Sequence, residues 1–167
     1  MAGAALVISA LTAGFTGLQW HEMREAAVVA LKPNIDFDIN DDPDEPPVGI
    51  QLVNAGPGPA RIKSVEFFVD RKMVKDASEA GINYAGLSEA ELDYKDLDQT
   101  STVAVGERIW LIKYRKPKPN DKAANLKNQE KLADFIDQHL AIRVVFCSTV
   151  RETDCWPKCS DNDDRCR

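Results

Sequence analysis

The chain has 167 residues, a formal net charge of −6 and four cysteines, all of which lie after residue 146. A chain of this length can bury roughly 70% of the surface its unfolded form exposes, so neither a metal nor a disulfide framework is needed for a core, and one domain is expected. The acidic balance argues against a general phosphate-backbone binder, which needs clustered excess Lys and Arg, so no nucleic-acid partner is expected. With 44% hydrophobic and 29% charged residues, wholesale disorder is excluded as well.

From Met1 to Trp20 no side chain is charged, and Leu6, Val7, Ile8, Leu11, Phe15 and Leu18 are set among Ala, Gly, Ser and Thr. Twenty helical residues rise about 30 Å, the thickness of a bilayer's hydrocarbon core. Residues 1–20 are therefore read as a retained membrane span, with Trp20 as the interface anchor and His21, Glu22, Arg24 and Glu25 as the exit into water. Two readings compete with it. A cleaved secretory signal would carry a basic residue before Leu6, and none is there; a soluble helix covered by a partner would tolerate the same small residues. Ala10 with Gly14, and Ala13 with Gly17, have the spacing that lets two membrane helices approach closely. Residues 22–31 lack Gly and Pro and stop short of Pro33, which disfavours helix in the residue before it, so a juxtamembrane stalk completes a first segment of residues 1–32.

After Pro33 the pattern turns from helical to alternating. Ile35, Phe37 and Ile39 are apolar between Asp36, Asp38 and Asn40, and Val48, Ile50 and Leu52 resume the alternation after an acidic, proline-rich loop at 41–47. A third strand carries Ile62, Val65, Phe67 and Val69, with a phase slip between Ile62 and Val65 that marks a bulge. Ser88 and Glu91 have capping-box spacing and predict a short helix running to Tyr94 or Leu97. Residues 100–105 and 108–114 are rich in strand formers, and Gly106-Glu107 between them predicts a hairpin. A turn at 117–121 leads into an amphipathic helix over 122–138, its apolar positions at Leu126, Leu132, Ala133 and Ile136. The last strand alternates Leu140, Ile142, Val144 and Phe146 and delivers Cys147. Six or so short antiparallel strands with polar turns predict a mainly β domain over residues 33–150. The fold expected is an immunoglobulin-like antiparallel β-sandwich with one or two short helices, followed by a cysteine-bearing tail at 151–167.

The most distinctive run is Asn54-Ala55-Gly56-Pro57-Gly58-Pro59-Ala60-Arg61-Ile62. A phosphate-cradling loop needs successive free N–H groups, and Pro57 and Pro59 have none, so the run is a rigid structural turn and not a nucleotide site. An alternating strand running into this turn, after a single N-terminal span and before a late helix and strand, resembles a loose group of uncharacterised bacterial membrane-anchored proteins. That resemblance covers about residues 1–150. It implies a sandwich domain outside the cytoplasmic membrane and brings no catalytic residues with it.

Cys147, Cys155, Cys159 and Cys166 form an even set in a chain with an export-competent N-terminus, which predicts two disulfides in an oxidising compartment, with three connectivities open. A zinc site would want CxxC knuckles that the spacing lacks, and Cys155-Trp156-Pro157-Lys158-Cys159 has one residue too many for a thioredoxin-type centre. Zinc or thiol-redox use of these cysteines stands as an alternative. The acidic runs at 41–45 and 161–164 lack the ligand alternation and glycine of a calcium loop and are read as solvated. The basic run at Lys113, Arg115, Lys116, Lys118 and Lys122 is read as a solvated strand end, with anionic lipid the other option. His21 and His139 have no nucleophile context, so no catalytic residue, metal or cofactor is expected. The chain is thus expected to be a bacterial inner-membrane protein, its domain periplasmic, acting as an interaction or accessory module toward a protein partner. The alternative is a small subunit that assembles into a membrane complex through its N-terminal helix.

Overall fold

The computed structural model of the chain describes residues 16–17, 19–44, 47–115 and 122–160. Of the span expected over 1–20 only four residues fall within these, and Gly14, Cys166, the turn at 117–121 and the acidic run at 161–164 lie outside them. Among the described residues no helix is long and apolar enough to cross a membrane. Residues 19–30 are helical (α1), and the last turn tightens where the Lys32 N–H donates to the Val29 carbonyl at 3.3 Å, just ahead of Pro33.

In chain order the strands are β1 (Ile35–Asn40), β2 (Gly49–Asn54), β3 (Ala60–Val69), β4 (Lys72–Val74), β5 (Leu92–Tyr94), β6 (Thr102–Val103), β7 (Arg108–Tyr114), β8 (Leu140–Ser148) and β9 (Cys155–Cys159). Helix α2 (Ala77–Glu79) is a single turn, and α3 spans Lys122–Gln138. The strands make two antiparallel sheets, one ordered β1-β2-β7-β5 and the other β4-β3-β8-β9, with β6 on the start of β3. Both inner faces feed one core: Ile35, Ile50, Leu52 and Leu111 from the first sheet meet Ile62, Phe67, Ile142 and Val144 from the second. The mainly β, two-sheet architecture is the one that the period-two patterns predict.

Local irregularities follow from what each residue must bury. The register of β3 against β8 shifts between Ile62 and Ser64, where the phase slip predicts a bulge. A second shift, between β2 and β7, inserts Leu111 as an extra residue, so Leu111 and Ile112 are both buried while Trp110 and Lys113 keep to the outer face. In α3 the buried positions are Gln129, Leu132, Ala133, Phe135 and Ile136, whereas Leu126 is exposed, contrary to its expected place in the apolar stripe. The N-terminal half of α3 is instead held by polar contacts, Tyr114 Oη donating to Asn125 Oδ1 at 3.1 Å and Asn128 Nδ2 to Glu91 Oε1 at 2.6 Å.

Two expected elements differ. The capping box forms, with the Ser88 N–H and hydroxyl both donating to Glu91 Oε2, but it starts only a 3-10 turn over Glu89–Glu91, because Leu92–Tyr94 pair with β7 as a strand. Gly106-Glu107 does not close a hairpin: β6 lies in one sheet and β7 in the other, so the chain crosses the sandwich there. Val103 is buried and its carbonyl is taken by Asn54, which holds β6 on the far side.

Candidate functional site

The Asn54–Pro59 turn is built around one side chain. Asn54 is fully buried, and its Nδ2 donates to the Gly58 carbonyl at 2.9 Å and to the Val103 carbonyl at 3.0 Å. Its Oδ1 accepts from the N–H groups of Gly56 at 3.1 Å and Asn34 at 3.3 Å. The Asn54 backbone donates to the Glu107 carbonyl and accepts from the Gly106 N–H, so every polar group of the residue is satisfied. One amide thereby ties together the turn, the chain leaving α1, β6 and the β6–β7 crossing. The glycines have a complementary reason. A Cβ on Gly56 would lie 2.2 Å from the Asn34 nitrogen, and one on Gly58 would lie 1.7 Å from the Leu31 carbonyl oxygen. Gly56 and Gly58 therefore let the backbone of residues 31–34 seat directly on the turn, and Pro57 and Pro59 stiffen it. The turn is a socket for the end of α1.

The cysteines lie on the opposite sheet. Cys147 and Cys155 stand directly across from one another on β8 and β9 and are disulfide-bonded, with Cα atoms 4.0 Å apart. Cys159, at the far end of β9, is also disulfide-bonded. The segment that the sequence reads as the start of a polar tail is thus an edge strand over Cys155–Cys159, held at both ends by sulfur chemistry. Trp156 packs its ring on Phe146 with centroids 5.8 Å apart, and the Lys32 ammonium sits 4.7 Å from the Trp156 ring centroid. Lys158 pairs with Asp36 at 3.3 Å. The Ser148 N–H donates to the Asp154 carbonyl and the Ser160 N–H to the Ile142 carbonyl. By the alternation of an antiparallel ladder, Cys155, Pro157 and Cys159 then turn their backbone groups to the open edge. Pro157 removes the middle donor of that edge, a standard block to strand addition.

The outer face of the β1-β2-β7-β5 sheet is built differently. The register sets Asp38, Gln51 and Trp110 side by side across three strands, with Lys113 and Asp93 paired in the next row. Asp38 Oδ2 accepts from Arg108 Nη1 at 2.6 Å and from Gln51 Nε2 at 2.9 Å. Asp93 lies 3.2 Å from Lys113 Nζ and 3.3 Å from Arg115 Nη2, and its hydrogen bond to Lys113, with those charges, holds its carboxyl below the ordinary value of 3.8. Lys113 also stands 5.8 Å from the Trp110 ring centroid. Of the basic run seen in the sequence, Lys113 and Arg115 are therefore spoken for by Asp93. Beside Trp110 a shallow groove of about 260 Å³ runs between β5 and β7. A second cleft, about 230 Å³, lies between α1 and the β8–β9 loop and takes in His21, Arg24 and Arg151.

Of the residues expected to matter, Asn54, Gly56, Pro57, Gly58 and Pro59 come together as one socket, and Cys147, Cys155 and Cys159 as one stapled strand. Trp20 stands apart on α1, 66% exposed, with Arg24 over its ring. Among the described residues no group of His, Cys, Asp and Glu converges as a metal site. The Asp42 N–H instead donates to Asn40 Oδ1 and the Asp44 N–H to Asp42 Oδ1, ordering the acidic loop as turns. Trp110 was missed by sequence reasoning. The available signal was the break in alternation at Leu111-Ile112, which places the indole outward. No family model, curated protein or solved structure matches the chain.

Proposed function

We propose that the chain is a tethered, non-catalytic interaction module of the bacterial envelope, with residues 1–20 in the inner membrane and an immunoglobulin-like sandwich in the periplasm. The observation that carries this reading is the β9 strand, whose Cys155 and Cys159 are both in disulfides, in a chain that opens on an uncharged apolar run. Such bonds persist in oxidising compartments. The socket at Gly56 and Gly58 supports tethering, because it fixes the exit of α1 against the domain where a free linker would leave it loose. Both histidines fit a non-catalytic role. His21 stands on exposed α1, and His139 Nδ1 meets Asp70 Oδ1 at 2.8 Å on an exposed turn; among the described residues neither ring is hydrogen-bonded to a Ser or Cys.

Fractionation of cells making the full chain tests the reading. The protein should stay with membranes through an alkaline carbonate wash and be cut by protease added to spheroplasts. Release by carbonate, or protection in spheroplasts, would overturn it. A second reading, a small subunit assembling through its helix, is favoured by the exposure of Met23 and Val29 on α1, at 70% and 73%. Substitutions at Gly14 and Gly17 would then abolish co-purification of partner subunits while changes on the sandwich surface would not. Zinc or thiol chemistry would need thiolates, and Cys147, Cys155 and Cys159 are in disulfides.

A further inference from the structure

We infer that the outer edge of β1 is a docking site for an extended peptide of another protein, one that pairs its backbone with Phe37–Ile39 as an added strand and carries Lys or Arg at alternate positions. The inference rests on the reading of the domain as an interaction module and not on the membrane anchor.

The first observation is a contrast among the four strands that end the two sheets. β4 and β5 have three residues each, and β9 carries Pro157 between its cysteines, all of which blunt an edge. β1 has six residues, with no proline and no register shift against β2. Among the described strands it is the one long edge left without such a block.

The second is where its backbone points. The Ala55 N–H donates to the Asn34 carbonyl at 2.9 Å, which makes these two a hydrogen-bonded pair of the ladder and puts Asp36, Asp38 and Asn40 in the same class. Ile35, Phe37 and Ile39 therefore turn their backbone groups away from β2. Asp36 occupies the beginning of that edge: its Oδ1 accepts the Phe37 N–H at 2.9 Å and meets Lys158 Nζ at 3.3 Å. Beyond it, the Phe37 carbonyl and the Ile39 N–H and carbonyl face outward with no partner among the described residues, and Ile39 is 41% exposed.

The third is charge, which selects the occupant. Asp36, Asp38, Asp41, Asp42 and Asp44 line β1 and the loop that leaves it. Lys158 answers Asp36 and Arg108 answers Asp38, whereas Asp41, Asp42 and Asp44 are exposed and make no ion pair among the described residues. Lys32, ahead of the strand, sits on the Trp156 ring and leaves the balance negative. A second copy of β1 would bring this charge against itself, and like charges across a strand pair are destabilising. A basic segment meets the opposite sign. The residue it sets across from Asp38 shares the outer face, so Lys or Arg belongs there, with an apolar residue across from Ile39.

The test is a titration of the full chain, in an uncharged detergent, with a synthetic peptide alternating Lys and Val, followed by amide resonances and amide hydrogen exchange. Binding should be saturable and weaken as salt is raised, and it should slow exchange of the Ile39 N–H at least about tenfold while the Cys155 and Cys159 amides stay unmoved. Ile39→Pro copies the block on β9. Because this N–H takes no part in pairing with β2, the variant should keep the β8 resonances and weaken binding at least about tenfold. Asp41→Asn with Asp42→Asn, on the exposed loop, should weaken it by about threefold. No protection of Ile39, equal binding of a peptide alternating Glu and Val, or binding untouched by both variants would each overturn the inference. Ile39 protection that rises with protein concentration in the absence of peptide would overturn it in favour of a second copy. The carbonate and spheroplast results are independent of all these outcomes.

Discussion

The two sheets share one core but are finished by opposite means. The β4-β3-β8-β9 sheet is closed covalently: its β9 edge carries the Cys147–Cys155 bond, a second disulfide at Cys159, and Pro157 where an incoming strand would look for a donor. The β1-β2-β7-β5 sheet is finished by ion pairs and hydrogen bonds around the half-buried Trp110. Sealing one edge closes it to strand addition, whereas the other sheet keeps its paired polar groups at the surface. Asn54 joins the two halves, because its amide bonds Asn34 at the head of the first sheet and Val103 on the second.

The largest effect should come from cutting that joint. Asn54→Ala strands two buried carbonyls, the buried Gly56 N–H and the part-buried Asn34 N–H, and at 1–3 kcal/mol for each buried group left unpaired, partly relieved by relaxation, the loss should be about 3 kcal/mol in denaturant unfolding. Breaking the seal comes next. Replacing Cys147 and Cys155 by Ala opens a loop with a sequence separation of 8, for which chain entropy gives about 2.5 kcal/mol. The same pair of changes should leave the Trp110 face intact, seen as unchanged Trp110 and Gln51 resonances.

Acid should act on the first sheet and its flanks. Glu91 lies below its ordinary 4.5 chiefly because it accepts from the Ser88 backbone, and Asp93 below 3.8 chiefly because of Lys113. Depressed folded values stabilise the fold at pH above the unfolded values and lose that contribution as pH falls through the folded ones. The melting temperature should therefore be insensitive to these two groups from neutrality to about pH 5 and drop below about pH 4.5. The smallest effect belongs to Arg108→Ala, since its pair with Asp38 is half-exposed and surface pairs contribute about 0–1 kcal/mol.

What could be read from the residues follows from how strongly burial writes itself into a pattern. β1, β2, β3, β8 and α3 each bury a regular side, and the Ile35-Phe37 and Leu140-Ile142-Val144-Phe146 alternations declare it. β9 has five residues, two of them cysteines and one a proline, so its pairing depends on β8 and on sulfur and leaves no periodic trace. The Gly56 and Gly58 signal was legible as a turn, but its purpose was not, because the atoms that forbid a Cβ belong to residues 31–34. Leu126 misled for a related reason: an apolar residue in phase with a helix stripe stays exposed when polar anchors at Asn125 and Asn128 position that turn. Trp110 was hidden because Ile109, Leu111 and Ile112 around it are apolar too, so the break in alternation at Leu111-Ile112 was the one trace it left.

The claim on which compartment and architecture both rest is the covalent seal of β9. Protein taken from membranes should be alkylated without reductant, digested and mapped by mass. The account predicts no alkylated cysteine, a Cys147–Cys155 cross-linked peptide and Cys159 in a second cross-link. Free, alkylated thiols at Cys147 and Cys155 would contradict it.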